Sequence, residues 1–139
     1  MRFRTIIFAA VLAVSAPATA QQPSDPIGEA FFAPELVMQH HQAIALTDDQ
    51  KESLRRTMRE AQLRFTDLQW NLQDEVGEMV TLIGTPRVDE VRVLAQLQKV
   101  LAAEREVKQT QITLLVRIKN LLTEAQQEQL RRLRTGAQP

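Results

Sequence analysis

With 139 residues, 17 basic and 17 acidic side chains, and neither cysteine nor tyrosine, the chain has material for one domain and excludes disulfides, thiol chemistry and thiolate metal sites. A formal charge of zero gives no global attraction to nucleic acid.

The first twenty residues have the layout of a secretory signal. Arg2 and Arg4 precede a mostly apolar run from Thr5 to Val14, and Ala18-Thr19-Ala20 supplies a small-x-small cleavage pattern. That run is far shorter than the ~20 residues a spanning helix needs, and Pro17 interrupts the residues after it. The expected mature chain therefore starts near Gln21, in the periplasm, with no membrane insertion after cleavage. Loss of Arg2 and Arg4 leaves 15 basic against 17 acidic residues, a formal charge of −2.

Residues 21–34 carry three prolines and one glycine and read as a flexible leader. Phe31 and Phe32 within it are expected to hook onto the helices, because large apolar side chains are usually buried; an exposed binding element is the alternative. A helical domain is expected over 35–134, with 135–139 as a tail. Its first helix, short, should run from Glu35 to Ile44, with Leu36, Val37 and Ile44 facing the core.

Leu54, Met58, Ala61, Phe65, Leu68, Leu72, Val76, Met79 and Ile83 then recur at steps of four and three. Their period of about 3.6 is that of a straight α-helix rather than a strict heptad. A helix from Asp48 to Ile83 would be ~54 Å long, ending at Gly84 in the left-handed cap conformation, with Pro86 suited to the first turn of the next helix. That second long helix is expected from Pro86 or Asp89 to Leu121, and the short connection makes the pair an antiparallel hairpin. Ile112 to Leu122 is apolar almost all round, so part of it must meet the terminal helix, a second subunit or a ligand.

The most specific signal is an internal echo. Leu46-Thr47-Asp48-Asp49-Gln50-Lys51-Glu52-Ser53-Leu54-Arg55-Arg56 matches Leu122-Thr123-Glu124-Ala125-Gln126-Gln127-Glu128-Gln129-Leu130-Arg131-Arg132 at seven of eleven positions. Thr-x-x-Gln is a capping box: the threonine oxygen accepts from the backbone N–H three residues on, and the glutamine reaches back to the threonine N–H. Both copies therefore start helices, with Asp48, Asp49 and Glu124 in first turns where the helix dipole favours negative charge. The usual hydrophobic staple is missing, since Lys51 and Gln127 stand where an apolar partner for Leu46 or Leu122 would sit.

This pair of LTxxQ motifs resembles the signature of the Spy/CpxP family of periplasmic stress proteins, over roughly Glu35 to Leu133. The resemblance implies an all-α subunit of four helices, a long antiparallel hairpin flanked by short N- and C-terminal helices, that forms a homodimer with a shallow cradle. It implies one of three jobs: an ATP-independent chaperone, a modulator of an envelope stress kinase, or a heavy-metal sensor. The motif residues Leu46, Thr47, Gln50, Leu122, Thr123 and Gln126 are structural in such proteins.

For a chaperone or partner-binding surface the candidates are Arg55, Arg56, Arg59 and Arg64, which with Lys51 concentrate positive charge on the first half of the long helix, and Leu63 and Trp70, one heptad apart and off the main stripe. Arg117, Lys119, Arg131, Arg132 and Arg134 repeat the charge near the C-terminus. The plainer readings are a solvated face with pairs such as Glu52 with Arg56 and Glu60 with Arg64, and packing at a dimer seam or core for Trp70. His40 and His41 are the only histidines. Neighbours on a helix point ~100° apart, so the two cannot chelate one ion as histidines at i and i+4 do. Metal-sensing relatives are similar in having a His-x-x-x-His spacing and further donors from a later helix, whereas no histidine follows His41. A shared site across a dimer, with Glu35 or Asp67, is the form a metal centre would take; otherwise no metal or cofactor is expected. The mature chain offers only Ser24 and Ser53 as serines, no glycine-rich phosphate loop and no distinguishable acid/base pair. It reads as a binding protein, for unfolded or stress-related envelope proteins first, for a heavy metal second and for one fixed structural partner third, and not as an enzyme.

Overall fold

The computed structural model describes residues 26–136; the expected signal at 1–20, the leader at 21–25 and the tail at 137–139 lie outside them. The regular elements among the described residues are all helices: α1 Pro26–Glu29, α2 Pro34–Gln39, α3 Asp48–Ile83, α4 Glu90–Leu121 and α5 Glu124–Arg134. Four of these are the expected helices, and α1 is a single additional turn within the segment read as a leader. The long helices α3 and α4 pack against each other. None of the helices is long and apolar enough to cross a membrane.

Pro34 opens α2, where its missing N–H costs nothing. The helix stops at Gln39 rather than Ile44, since His40 leaves helical geometry at φ −104° and ψ 15°. The chain then makes a further turn that ends with Ala45 at φ 49°. The Leu46 N–H donates to His41 O at 2.9 Å and the Ala45 N–H to Gln42 O at 3.0 Å, which is a Schellman motif with alanine where glycine is usual. This turn drives Leu46 into the core and puts Thr47 at the start of α3. Left-handed backbone costs a non-glycine residue about 1–2 kcal/mol. Ala45→Gly should therefore raise stability by up to about 1 kcal/mol once the looser unfolded chain is allowed for; a lower denaturation midpoint would count against strain at this site.

The α3–α4 turn departs from expectation. Gly84 is right-handed, at φ −68° and ψ −2°, so handedness is not what selects glycine there. A Cβ on Gly84 would sit 3.2 Å from Val80 O, a tight contact that the carbonyl would have to relieve by a small shift. The Thr85 hydroxyl donates toward Leu82 O and Arg87 O, at 3.2 and 2.8 Å. Asp89 then caps α4, accepting from the Arg92 N–H at 3.2 Å.

The core lies at the open end of the hairpin, where Phe32, Val37, Ile44, Leu46, Leu54, Ile118, Leu122 and Leu130 are buried together and Leu36, Met58, Leu114 and Leu133 pack on them. Towards the α3–α4 turn only one stripe is covered, by Leu68, Val100 and Ala103. The expected stripe members Val76 and Ile83 are exposed there, because two helices alone shield one side of each other. Gln96 is the polar exception: 3% exposed, it donates to Glu75 O at 2.9 Å and to the Glu75 carboxylate at 2.6 Å, fixing the register of α4 on α3.

Candidate functional site

The two motifs meet. Thr47 Oγ1 accepts from the Gln50 N–H at 3.2 Å while the Thr47 N–H donates to Gln50 Oε1 at 3.0 Å. Thr123 and Gln126 repeat the arrangement at 3.2 and 2.9 Å. The glutamine amides then pair across the two caps: Gln50 Nε2 donates to Gln126 Oε1 at 2.8 Å and Gln126 Nε2 to Gln50 Oε1 at 3.0 Å. Each Nε2 spends its second proton on a backbone carbonyl, Leu121 O at 2.9 Å for Gln50 and Ile44 O at 3.2 Å for Gln126. Both amides thus use all four hydrogen-bonding positions. Leu46 and Leu122, lacking staple partners, are buried in the shared core instead. Thr47→Ala and Thr123→Ala should each cost about 1 kcal/mol in chemical denaturation; an unchanged midpoint would mean that the glutamines alone hold the helix starts.

The N-terminal segment is fastened beside this interlock. Phe32 is buried and Phe31 half-buried. Lys119 donates to Ala30 O at 2.9 Å with its ammonium 5.7 Å from the Phe31 ring centre. Arg134 donates to Glu29 O at 2.6 Å and also to Phe31 O, with its guanidinium 5.2 Å from the Phe32 ring. Arg131 and Arg132 both bind Glu128, and the Arg131 hydrogen bond, then that from Arg132, holds the Glu128 carboxyl below its ordinary range. The C-terminal cations Lys119, Arg131, Arg132 and Arg134 thus each have a partner within the chain, while the three arginines remain exposed.

The cations of α3 divide. Arg64 pairs with Glu106 at 2.9 Å and Arg117 with Glu60 at 3.3 Å, so Glu60 and Arg64 reach across to α4 rather than to each other along α3. Arg59 approaches Glu52 at 3.9 Å with both groups largely exposed, in place of the expected Glu52–Arg56 pair, and such a contact contributes little. Lys51 hydrogen-bonds Asp48 at 3.0 Å and holds its carboxyl below the usual range. Arg55 and Arg56 are exposed and make no ion pair among the described residues. Leu63 and Trp70 are 71% and 62% exposed, so within one chain neither belongs to the core.

His40 and His41 are half-buried at the end of α2. His41 Nδ1 lies 2.7 Å from Met38 O. A carbonyl has no proton to give, so Nδ1 is the donor, and in the neutral ring the lone pair is left on Nε2. No group of three His, Cys, Asp or Glu able to hold a metal gathers among the described residues; neither Glu35 nor Asp67 completes such a set with the histidines. Motif spacing gave the caps, but nothing in it signalled the glutamine pairing or the use of Lys119 and Arg134 as fasteners, which depend on contacts between residues some 76 to 105 positions apart.

The sequence profile of a family described as heavy-metal resistance matches residues 5–129. No curated protein and no solved structure matches the chain.

Proposed function

The chain belongs to the heavy-metal resistance family, and from that premise we propose that it is a periplasmic protein of the Spy/CpxP type that binds a heavy-metal ion as its signal or cargo and performs no catalysis. The observation carrying this reading is the His41 ring, whose Nδ1 is tied to Met38 O at 2.7 Å and whose Nε2 is thereby oriented as a ligand. Donation of the second ring nitrogen to a backbone carbonyl is the outer-shell contact that metal-binding histidines ordinarily have. The described residues of one chain do not offer the closed four-donor set of a structural zinc site, so in this reading the ion is held by few donors or shared between copies. The matched span begins inside the apolar start of the chain, which accords with export.

A metal that binds only the folded state stabilises it by about 2.7 kcal/mol at a hundredfold excess over Kd. Thermal unfolding with added silver, copper, zinc or nickel should accordingly show a rise in Tm that chelator reverses and that a His40→Ala/His41→Ala double variant loses. Absence of any shift across these ions would remove the metal reading.

The exposure of Leu63 and Trp70 favours a second reading, an ATP-independent holdase or envelope-stress modulator in which this face, flanked by Arg55, Arg56 and Arg59, meets unfolded or partner proteins, with homodimer formation on the same hairpin. Suppression of aggregation that ignores chelator and fails in a Leu63→Ser/Trp70→Ser variant would put this reading first.

A further inference from the structure

We propose that a second copy of this chain docks on the outer face of α3, antiparallel about a two-fold axis, with Leu63 of each copy covering Trp70 of the other. This pairing rests on the homodimer of the second reading above and specifies its face and register; the metal reading does not depend on it.

Leu54 and Leu68 are buried on the side of α3 that meets α4. Leu63 and Trp70 stand on the opposite side, both exposed. Seven residues bring a helix back to within ~20° of the same direction, so Leu63, Trp70 and Gly77 lie along one line, and all three are exposed. A glycine inside a helix costs stability. No other part of the chain comes within 4 Å of the place where a Cβ on Gly77 would stand, so nothing within one copy uses the missing side chain. A second helix crossing there would.

The charges on this face are sorted along its length. Arg55, Arg56 and Arg59 precede Leu63, whereas Asp67, Asp74 and Glu78 follow it, and all six are exposed. Arg59 has only the 3.9 Å approach of Glu52; the other five make no ion pair among the described residues. A face so divided complements itself only when reversed. A parallel copy would set arginine on arginine and carboxylate on carboxylate. In the antiparallel register that places Leu63 against the partner's Trp70, Arg59 meets the partner's Asp74. Arg56 meets the partner's Gly77 beside the partner's Glu78, where the absent Cβ leaves room for the arginine stem. The two-fold axis repeats each pair. An unfolded client has no fixed charge order to match this one. One contact opposes the pairing: Asp67 falls beside the axis, at the edge of the face, and meets the partner's Asp67. Thr66 meets its own copy on the other flank.

Sedimentation equilibrium of the purified chain tests this, with the emission of Trp70, the only tryptophan, followed over the same concentrations. The expected result is a monomer in equilibrium with a dimer, and Trp70 emission that moves to shorter wavelength as the dimer forms. Arg59→Asp and Asp74→Arg should each weaken association about tenfold or more, since each change counts twice across the axis, and the double variant should restore it. Asp67→Asn should tighten it. In a chain without cysteine, Thr66→Cys should give a disulfide-linked dimer on mild oxidation, and Thr81→Cys, far along the same face, should not. A dimer that neither charge reversal weakens, or that the double variant fails to restore, overturns this face and leaves dimer formation on the hairpin intact. A chain that is monomeric at every concentration sinks the pairing and the homodimer together. If Trp70 emission in that monomer shifts on addition of unfolded, alkylated lactalbumin, the face belongs to clients instead.

Discussion

Replacing Gln126 by alanine should lower the free energy of unfolding by about 2–4 kcal/mol, well beyond the loss of either threonine cap, because several buried partners are orphaned together at about 1–3 kcal/mol for an unmatched group and only some can re-pair. Gln126 is 9% exposed. Its removal leaves the Thr123 N–H, the Ile44 carbonyl and one side of the Gln50 amide without their partners. Gln126→Glu separates the two jobs of the residue. Glutamate serves as well as glutamine in a capping box, but its carboxylate has no protons for Ile44 O or Gln50 Oε1. If the glutamine only caps, Gln126→Glu is nearly silent; if it interlocks the two helix starts, it is at least as damaging as alanine. A double-mutant cycle with Gln50→Ala should return a coupling of about 1–2 kcal/mol. Additive losses in denaturant unfolding would show that the amide pair contributes nothing beyond two separate caps.

That interlock marks how far the sequence could be read. The α3 boundaries follow from local rules, a capping box at Thr47 and a stripe of period 3.6 ending near Gly84, and both are found where those rules place them. The fate of Gln50 and Gln126 was invisible because a capping box accounts for each glutamine completely; only the fold reveals that each amide has a second pair of bonds. The early end of α2 is hidden for a related reason. Ala45 carries no turn signal, and its left-handed backbone is imposed by the burial of Leu46 one residue later. Helix spacing alone does not decide the ion pairs: Glu60 and Arg64 satisfy the i,i+4 rule, yet the proximity of α4 offers Arg117 and Glu106 instead. His41 was legible as a residue type, but the carbonyl that selects its tautomer belongs to a turn geometry that no spacing rule describes.

Phe32→Ala should be the most damaging single change in the N-terminal segment, costing about 3–5 kcal/mol, the range for a buried aromatic cut to a methyl group. The ring is 1% exposed and sits in the same cluster as Val37, Leu54, Ile118 and Leu130, so the cavity would open between α2, α3, α4 and α5 at once. Arg134 would lose the ring under its guanidinium, leaving the segment fastened mainly through the carbonyls of Glu29, Ala30 and Phe31. Phe31→Ala, by contrast, removes a half-buried ring and one cation contact, at about 1 kcal/mol. Amide hydrogen exchange reports where the loss falls. Faster exchange in α2 and α5 with α3 and α4 still protected near Gln96 would show that Phe32 holds the short helices onto a hairpin that persists without it. Because α2 leads into His41, that loosening should also weaken metal binding at His41 without touching its side chain. A loss below about 1 kcal/mol would mean that the surrounding side chains close over the space, contrary to the range for such sites, and that the segment rides on the helices without organising them.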